Sequence, residues 1–123
     1  MKRTTLTCMT AMLIAGCGSF YRPTASAGVE CEGARCDAVW QRAQTWLATN
    51  GRYRIQIAND SVIQTYGPHD GVFDAVAFTL TKEKLPSGKT LIAIRGSCYP
   101  TVYGCVFDPA PLTNQLYNEL SKL

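Results

Sequence analysis

The sequence predicts an α+β fold, in which an antiparallel meander of four strands carries an N-terminal and a C-terminal helix packed on one face. Three observations lead to this fold class. Apolar residues recur at helical spacing between Asp37 and Asn50, they alternate with polar residues through the middle of the chain, and they return to helical spacing after Asp108. The meander has five strands if residues 103–107 form a further short strand.

The first predicted helix covers residues 37–50. Its apolar residues lie three or four positions apart and therefore line one side of a helix. Asp37 is the predicted N-cap, and Asn50–Gly51 is a predicted left-handed stop at the C-terminus. The apolar stripe consists of Val39, Trp40, Ala43, Trp46 and Leu47.

Four strands are predicted after this helix. The first two cover residues 52–57 and 61–66 and form a hairpin, with a turn at Asn59–Asp60. Residues 67–71 form a loop by composition, and a long third strand covers residues 72–82. A turn at 86–88 leads to the fourth strand, residues 90–97. The apolar side chains of these strands include Tyr53, Ile55, Ile57, Val76, Phe78, Leu80, Ile92 and Ile94.

The last predicted element is a helix that begins near Asp108–Pro109 and runs to Leu123. Leucines at positions 112, 116, 120 and 123 fall on one helical face. A proline is tolerated in the first turn, where its missing N–H has no intrahelical partner in any case.

Length and composition limit the class of protein. The chain has 123 residues, of which 46% are hydrophobic and 17% are charged, as in a single globular domain. The formal net charge of +3 is too small to indicate nucleic-acid binding, which requires a strongly basic surface. We therefore expect no nucleic-acid partner.

The first residues predict an export signal. Lys2 and Arg3 precede a short apolar segment, residues 6–15, which is well below the ~20 residues that a membrane-spanning helix needs. Two cleavage sites compete. Ala25-Ser26-Ala27 suits an ordinary signal peptidase, which would release a soluble protein beginning at Gly28. The second lies upstream, in Leu13-Ile14-Ala15-Gly16-Cys17.

The segment Leu13-Ile14-Ala15-Gly16-Cys17 resembles the lipobox of bacterial lipoproteins. We favour this site because Cys17 stands where the apolar segment ends. The resemblance implies that residues 1–16 are removed and that Cys17 receives a diacylglycerol, which anchors the chain to a membrane. Since Gly18 follows the cysteine, it also implies the periplasmic face of the outer membrane of a Gram-negative cell.

The residues after the lipobox predict a tether. Residues 18–35 are small, polar or helix-breaking and show no periodicity. We expect residues 17–35 to form a lipid-anchored tether and residues 36–123 to form one α+β domain. Without Lys2 and Arg3, the net charge of the mature chain is 10 − 9, or +1.

Four cysteines remain in the predicted domain and its flank: Cys31, Cys36, Cys98 and Cys105. An even number in an exported chain indicates two disulfides, with three connectivities. The spacing lacks the C-x-x-C pairs typical of metal sites, so we expect no metal. In a meander the ends of one strand lie ~20 Å apart, which favours the local pairs Cys31–Cys36 and Cys98–Cys105.

Residues that could carry chemistry are sparse. His69 is the single histidine, and its nearest carboxylate, Asp70, is adjacent in sequence and points away in an extended loop. No phosphate-binding loop or metal-protease motif is present in the sequence. We therefore expect a non-enzymatic protein without a cofactor. The alternative is a small hydrolase that uses His69.

Two features could form binding surfaces. The segment Cys98–Cys105 is a predicted disulfide-closed loop that carries Tyr99, Val102 and Tyr103, and such a rigid loop suits a protein partner. Alternatively, these side chains close one end of the core. The second feature is a basic strand face, whose partners would be anionic headgroups or peptidoglycan carboxylates. It comprises Arg52, Arg54, Gln56, Lys82 and Lys84.

The loop Gly67-Pro68-His69-Asp70-Gly71 is similar to the protruding Pro-His-Asp loop of periplasmic inhibitors of vertebrate lysozyme. In that family the histidine of the loop enters the lysozyme cleft. The resemblance implies an inhibitory role for His69. The family closes this loop with flanking cysteines, whereas Gly67 and Gly71 stand at those positions here. The helix–strands–helix order is also similar to that of small envelope-assembly lipoproteins.

Together these features predict a small lipid-anchored lipoprotein of the cell envelope that binds an envelope protein or peptidoglycan, or that has a structural role. The predicted partner-binding residues are Tyr99, Val102, Tyr103 and His69, and the predicted lipidation site is Cys17.

Overall fold

The structure of the protein is a computed structural model that describes residues 23–69, 75–102 and 104–123. These residues form a five-stranded antiparallel sheet, a two-stranded hairpin and two helices. The predicted α+β class is confirmed, with five strands in the main sheet instead of four. The elements in chain order are β1 (Thr24–Cys31), α1 (Ala34–Asn50), β2 (Ile55–Ala58), β3 (Val62–Thr65), β4 (Ala77–Lys84), β5 (Thr90–Ser97), β6 (Pro100–Thr101), β7 (Gly104–Cys105) and α2 (Pro109–Ser121).

The main sheet has the strand order β1-β5-β4-β3-β2. Strands β2 to β5 form the predicted meander, and β1 lies antiparallel to β5 at the edge. Thr24 pairs with Ser97 at one end of this ladder, and Cys31 pairs with Thr90 at the other. We call the end at which β5 finishes the loop end of the sheet, and the opposite end, where residues 85–89 connect β4 to β5, the turn end.

Strand β1 corrects the prediction of a tether over residues 17–35. Residues 24–31 pair with β5 along its whole length, so the folded domain begins by Thr24. The strand is built from small residues, and its inner side chains Ala27 and Val29 contact the core. Small side chains are sufficient here because α2 packs directly against β1. These residues form a strand because they pair with β5, which is distant in sequence, and local composition does not encode such pairing.

Helix α1 buries all the apolar residues predicted for it. The helix starts at Ala34 and not at Asp37, so the predicted N-cap is wrong. Gly33 precedes the helix with a φ of 55°, and Asp37 lies in the first turn, where a negative charge favours the helix dipole. The helix ends at Asn50 as predicted, but Gly51 is extended instead of left-handed. Glycine suits position 51 because the Cβ of any other residue would lie only 2.5 Å from the backbone oxygen of Leu47, which is too close for these two atoms.

The meander follows the predicted hairpin and turns with shifted bounds. Asn59 builds the first turn, since its Oδ1 accepts hydrogen bonds from the N–H groups of Ser61 and Val62. Ile57 is exposed, because a register shift between Ile55 and Ile57 interrupts the alternation. The predicted third strand began at residue 72, but β4 begins at Ala77; residues 70–74 lie outside the described residues.

Helix α2 begins at the predicted position. The Oδ1 of Asp108 accepts a hydrogen bond from the N–H of Ala110 at 2.9 Å and caps the first turn. Leu116 and Leu120 are buried, and Leu112 is partly buried against the core. Leu123 is exposed, contrary to the predicted stripe, because the helix ends at Ser121.

One continuous core joins the helices to the sheet. The side chains of Ala27, Ile94, Leu80 and Ile63 form a row across four paired strands, and they belong to the same core cluster as buried residues of both helices. We call the face that carries this row the inner face. The remaining members of the cluster include Trp40, Trp46, Leu47, Phe78, Leu116 and Leu120. Residues next to this row, such as Ser26 and Arg95, alternate to the other face, which we call the outer face.

Candidate functional site

The four predicted cysteines form two disulfides, one at each end of the sheet. Cys31 pairs with Cys36 at a Cα–Cα distance of 5.1 Å, and Cys98 pairs with Cys105 at 5.9 Å. These are the local pairs expected from the meander. Strand β5 separates them, because Cys31 lies beside Thr90 while Cys98 follows Ser97. The eight residues of β5 keep the two bridges more than 20 Å apart at ~3.3 Å per residue.

The second disulfide closes a small hairpin at the loop end. Strands β6 and β7 pair through Pro100–Cys105 and Thr101–Gly104. The hydroxyl of Thr101 donates a hydrogen bond to the oxygen of Gly104 at 2.6 Å. Val102 follows β6 at the tip of this hairpin and is 94% exposed. Tyr99 is half-buried, and Tyr103 lies outside the described residues.

Two further apolar side chains follow the hairpin. Val106 is 67% exposed and Phe107 is 39% exposed, just before the Asp108 cap of α2. Sequence analysis did not single them out, although they follow directly on the predicted loop. With Val102 they form a set of exposed apolar residues that we call the loop-end apolar surface. Large apolar side chains in water mark a contact surface when they gather in one region.

His69 is an exposed residue of the segment after β3. Its backbone N–H donates to the hydroxyl of Tyr53 at 3.2 Å, and its ring meets the Tyr53 ring edge-on with centroids 5.5 Å apart. Gly67 lies against the same ring: it has a φ of 87°, and a Cβ there would come within 2.7 Å of Tyr53. Buried Tyr53 therefore holds the Gly67–His69 segment in place.

The structure brings the two predicted binding loops to the same end of the sheet. β3 reaches the loop end at Thr65 and β5 reaches it at Ser97, because both strands run antiparallel to β4. The segment of His69 and the hairpin of Val102 extend beyond these two strand ends. Since neighbouring strands lie ~4.8 Å apart, β3 and β5 are separated by about 10 Å. The predicted meander implies this proximity, because its second and fourth strands run in the same direction.

The predicted basic face is divided between the two ends. Arg52 and Arg54 precede β2 at the loop end, whereas Lys82 and Lys84 lie in the second half of β4 toward the turn end. Lys82 Nζ lies 4.7 Å above the Trp40 ring, and the indole N–H donates to the oxygen of Asn59 at 2.9 Å. Lys82 therefore covers the core, and these side chains do not form one binding face.

The helices also carry an ion pair on their exposed side. Arg42 of α1 contacts the carboxylate of Glu119 in α2, and the Nε–Oε1 distance is 3.1 Å. Lys122 lies 3.4 Å from the second oxygen of Glu119. Hydrogen bonding by Arg42, followed by that of Lys122, lowers the pKa of Glu119 below its ordinary value.

The described residues contain no group of three or more His, Cys, Asp or Glu residues placed to hold a metal ion. Neither helix in this part of the chain is long and apolar enough to cross a membrane. The predicted lipidation site Cys17 and the histidine's neighbour Asp70 lie outside the described residues.

Comparison with known proteins assigns no family. No protein-family model matches the chain, and no curated protein matches it significantly.

Proposed function

We propose that the protein is a lipid-anchored, non-enzymatic binding module of the bacterial cell envelope. It is exported, cleaved before Cys17 and held at the periplasmic face of the outer membrane by the lipid on that cysteine. It contacts its partner, an envelope component, through the loop end of the sheet. The observation that carries this proposal is the position of β1.

Strand β1 argues against the competing cleavage site. Cleavage between Ala27 and Gly28 would remove the first four residues of an eight-residue strand. Those residues pair with Ile94–Ser97 of β5, and Ala27 packs against the core. A mature chain beginning at Gly28 would therefore expose half of the β5 edge. Cleavage before Cys17 leaves the strand complete and places the lipid seven residues before Thr24.

The loop end is the part of the described surface on which the predicted partner-binding residues lie. We infer that both helices cover the inner face of the sheet, because their buried residues share one cluster with Ala27, Ile94, Leu80 and Ile63. The loop end then presents His69, Tyr99 and Val102 together, the three described members of the predicted partner-binding set. A disulfide and a buried tyrosine hold these loops, so contact costs little ordering entropy.

Mass spectrometry of the mature N-terminus tests the anchoring. We expect a diacylglyceryl group on Cys17 and recovery of the protein with membranes. Cys17→Ser should abolish both, whereas the matched control Cys8→Ser should change neither, because residue 8 is removed with the signal. A mature N-terminus at Gly28 without lipid would contradict the proposal.

A second candidate function is inhibition of lysozyme by the Gly67–His69 segment. The observation that favours it is that Tyr53 lies against Gly67 and accepts a hydrogen bond from the N–H of His69. In this proposal these contacts of Tyr53 take the place of the flanking cysteines of the known inhibitors. Inhibition at micromolar protein, lost in His69→Ala and retained in Arg54→Ala, would support this function. Absence of inhibition by the unaltered protein would eliminate it.

A further inference from the structure

We propose that the loop-end apolar surface, made of Val102, Val106 and Phe107, rests on the lipid bilayer to which the chain is anchored. This inference depends on the lipid anchor at Cys17 proposed above and names the envelope component that the loop end contacts. The alternative contact, a protein, is an outcome of the test.

The three side chains of the loop-end apolar surface are exposed to solvent. Val102 is 94% exposed at the tip of a hairpin whose geometry is held by the Cys98–Cys105 bridge and by the Thr101–Gly104 hydrogen bond. Val106 and Phe107, between Cys105 and the start of α2, are 67% and 39% exposed. None of the three side chains belongs to the core clusters, and transfer of their exposed apolar area out of water is favourable. A rigid apolar hairpin can enter the interface without a change of fold.

The point at which the chain enters β1 indicates which end of the sheet lies near the membrane. The chain enters β1 beside the hairpin, since the N–H of Cys98 donates to the oxygen of Pro23 at 3.0 Å. Cys17 lies six residues before Pro23, so the lipid-bearing residue is within about 20 Å of this point even if the intervening chain is fully extended. The eight-residue strands are about 25 Å long. The loop end is therefore the end next to the bilayer, and the turn end points away.

The charges agree with this orientation. The exposed residues at the turn end are densely charged and belong in water; they include Glu30, Glu32, Arg35, Lys84 and Lys89. The loop end carries the exposed Arg52 and Arg54, and the half-buried carboxylate of Asp108 caps α2. The three side chains that would meet the bilayer are uncharged, so a zwitterionic bilayer is sufficient for the contact.

Quenching by brominated lipid tests the contact directly. The full chain is expressed, purified from membranes in its lipidated form and reconstituted in phosphatidylcholine vesicles with bromine on the acyl chains. Val102→Trp reports the loop end, and Ser87→Trp, in the exposed β4–β5 turn, is the matched control. The native Trp40 and Trp46 are buried and give the same background in both variants. We expect the emission of the indole introduced by Val102→Trp to fall by about half, because interfacial side chains reach the acyl boundary, and that of Ser87→Trp to be unchanged.

The outcomes separate this inference from the function on which it depends. Lipidated protein in which neither variant is quenched, or both are, would overturn the bilayer contact and leave the anchor intact. So would efficient crosslinking of residue 102 to a protein in whole cells without quenching in vesicles. Absence of lipid on Cys17 in the mass spectrum would remove the anchor and the bilayer contact together. Quenching of Val102→Trp alone, equal with and without anionic lipid, would establish the contact.

Discussion

The two ends of the sheet are closed by similar disulfides that have different surroundings. At the turn end, Cys31 and Cys36 belong to the central core cluster and join β1 to the first turn of α1. At the loop end, Cys98 and Cys105 are buried beneath a hairpin whose tip is exposed and apolar. One bridge is part of the core, and the other holds a surface in position. The spacing of the cysteines alone therefore does not reveal whether a short bridge belongs to the core or positions a surface loop.

The hydrogen bonds near the two disulfides also differ between the two ends of the sheet. Arg35 ties the turn end together, since its Nε donates to the oxygen of Leu123 and its Nη1 to the oxygen of Glu30. These bonds connect α1 to the end of α2 and to β1. At the loop end, Tyr53 and Thr101 instead hold the loops in which His69 and Val102 lie exposed. The turn end is therefore tied together by bonds between elements, whereas the loop end holds exposed side chains in fixed positions, as the proposed contact requires.

The largest expected difference comes from removing each bridge. The entropy of loop closure alone predicts that each bridge adds about 2 kcal/mol to the free energy of unfolding, because both loops are short. Replacing Cys31 and Cys36 by Ala also removes core contacts and should cost about 3 kcal/mol of unfolding free energy. Replacing Cys98 and Cys105 by Ala should cost about 2 kcal/mol. Urea unfolding of the two double variants measures the difference.

Hydrogen exchange supplies the control for this comparison. Loss of the Cys98–Cys105 bridge should raise exchange chiefly in the β6–β7 hairpin, whereas loss of Cys31–Cys36 should raise it throughout the sheet and helices. Equal global destabilisation by both double variants would contradict the distinction between the two ends.

An intermediate effect is expected from a pair of arginine substitutions. Arg35→Ala removes both bonds at the turn end and should lower the unfolding free energy by about 1 kcal/mol. Arg54→Ala, at the exposed loop end, should change it by less than about 0.5 kcal/mol. Chemical denaturation of both variants gives the comparison. A loss for Arg54→Ala as large as that for Arg35→Ala would show that the loop end contributes equally to stability.

The elements that could be predicted from the sequence are those with strong local signals. Periodicity alone identified the buried apolar residues of α1 other than the disulfide-bonded Cys36, and Asp108 marked the start of α2 through its capping side chain. Strand β1 could not be predicted in this way, because its small residues have little strand propensity and depend on pairing with β5. The alternation of Ala27, Val29 and Cys31 along the inner side was the one local signal present.

The candidate site was predictable in its parts, and the common position of these parts was implicit in the predicted meander. The chemistry of the cysteine-bounded loop singled out Tyr99 and Val102, and composition singled out the loop of His69. Their common position at one end of the sheet follows from strand order, which no single segment encodes. The role of Tyr53 was missed, since its alternation with charged neighbours indicated an ordinary strand residue, whereas its ring supports Gly67 and His69.

The smallest effect is expected from the ion pair between the helices, which is exposed to solvent. Hydrogen bonds from Arg42 and Lys122 lower the pKa of Glu119 from its ordinary value of 4.5. The folded state therefore binds this proton less tightly than the unfolded state, and the carboxylate stabilises the fold above pH 4.5 and loses this effect as the pH falls through the lowered pKa. Glu119→Gln should lower the melting temperature slightly at pH 7, and the difference should vanish in acid. Arg42→Gln should behave in the same way, and the double variant should be little worse than either single one, because each removes the same interaction. A difference that persists at low pH would show that Glu119 acts through packing in the last turns of α2 and not through its charge.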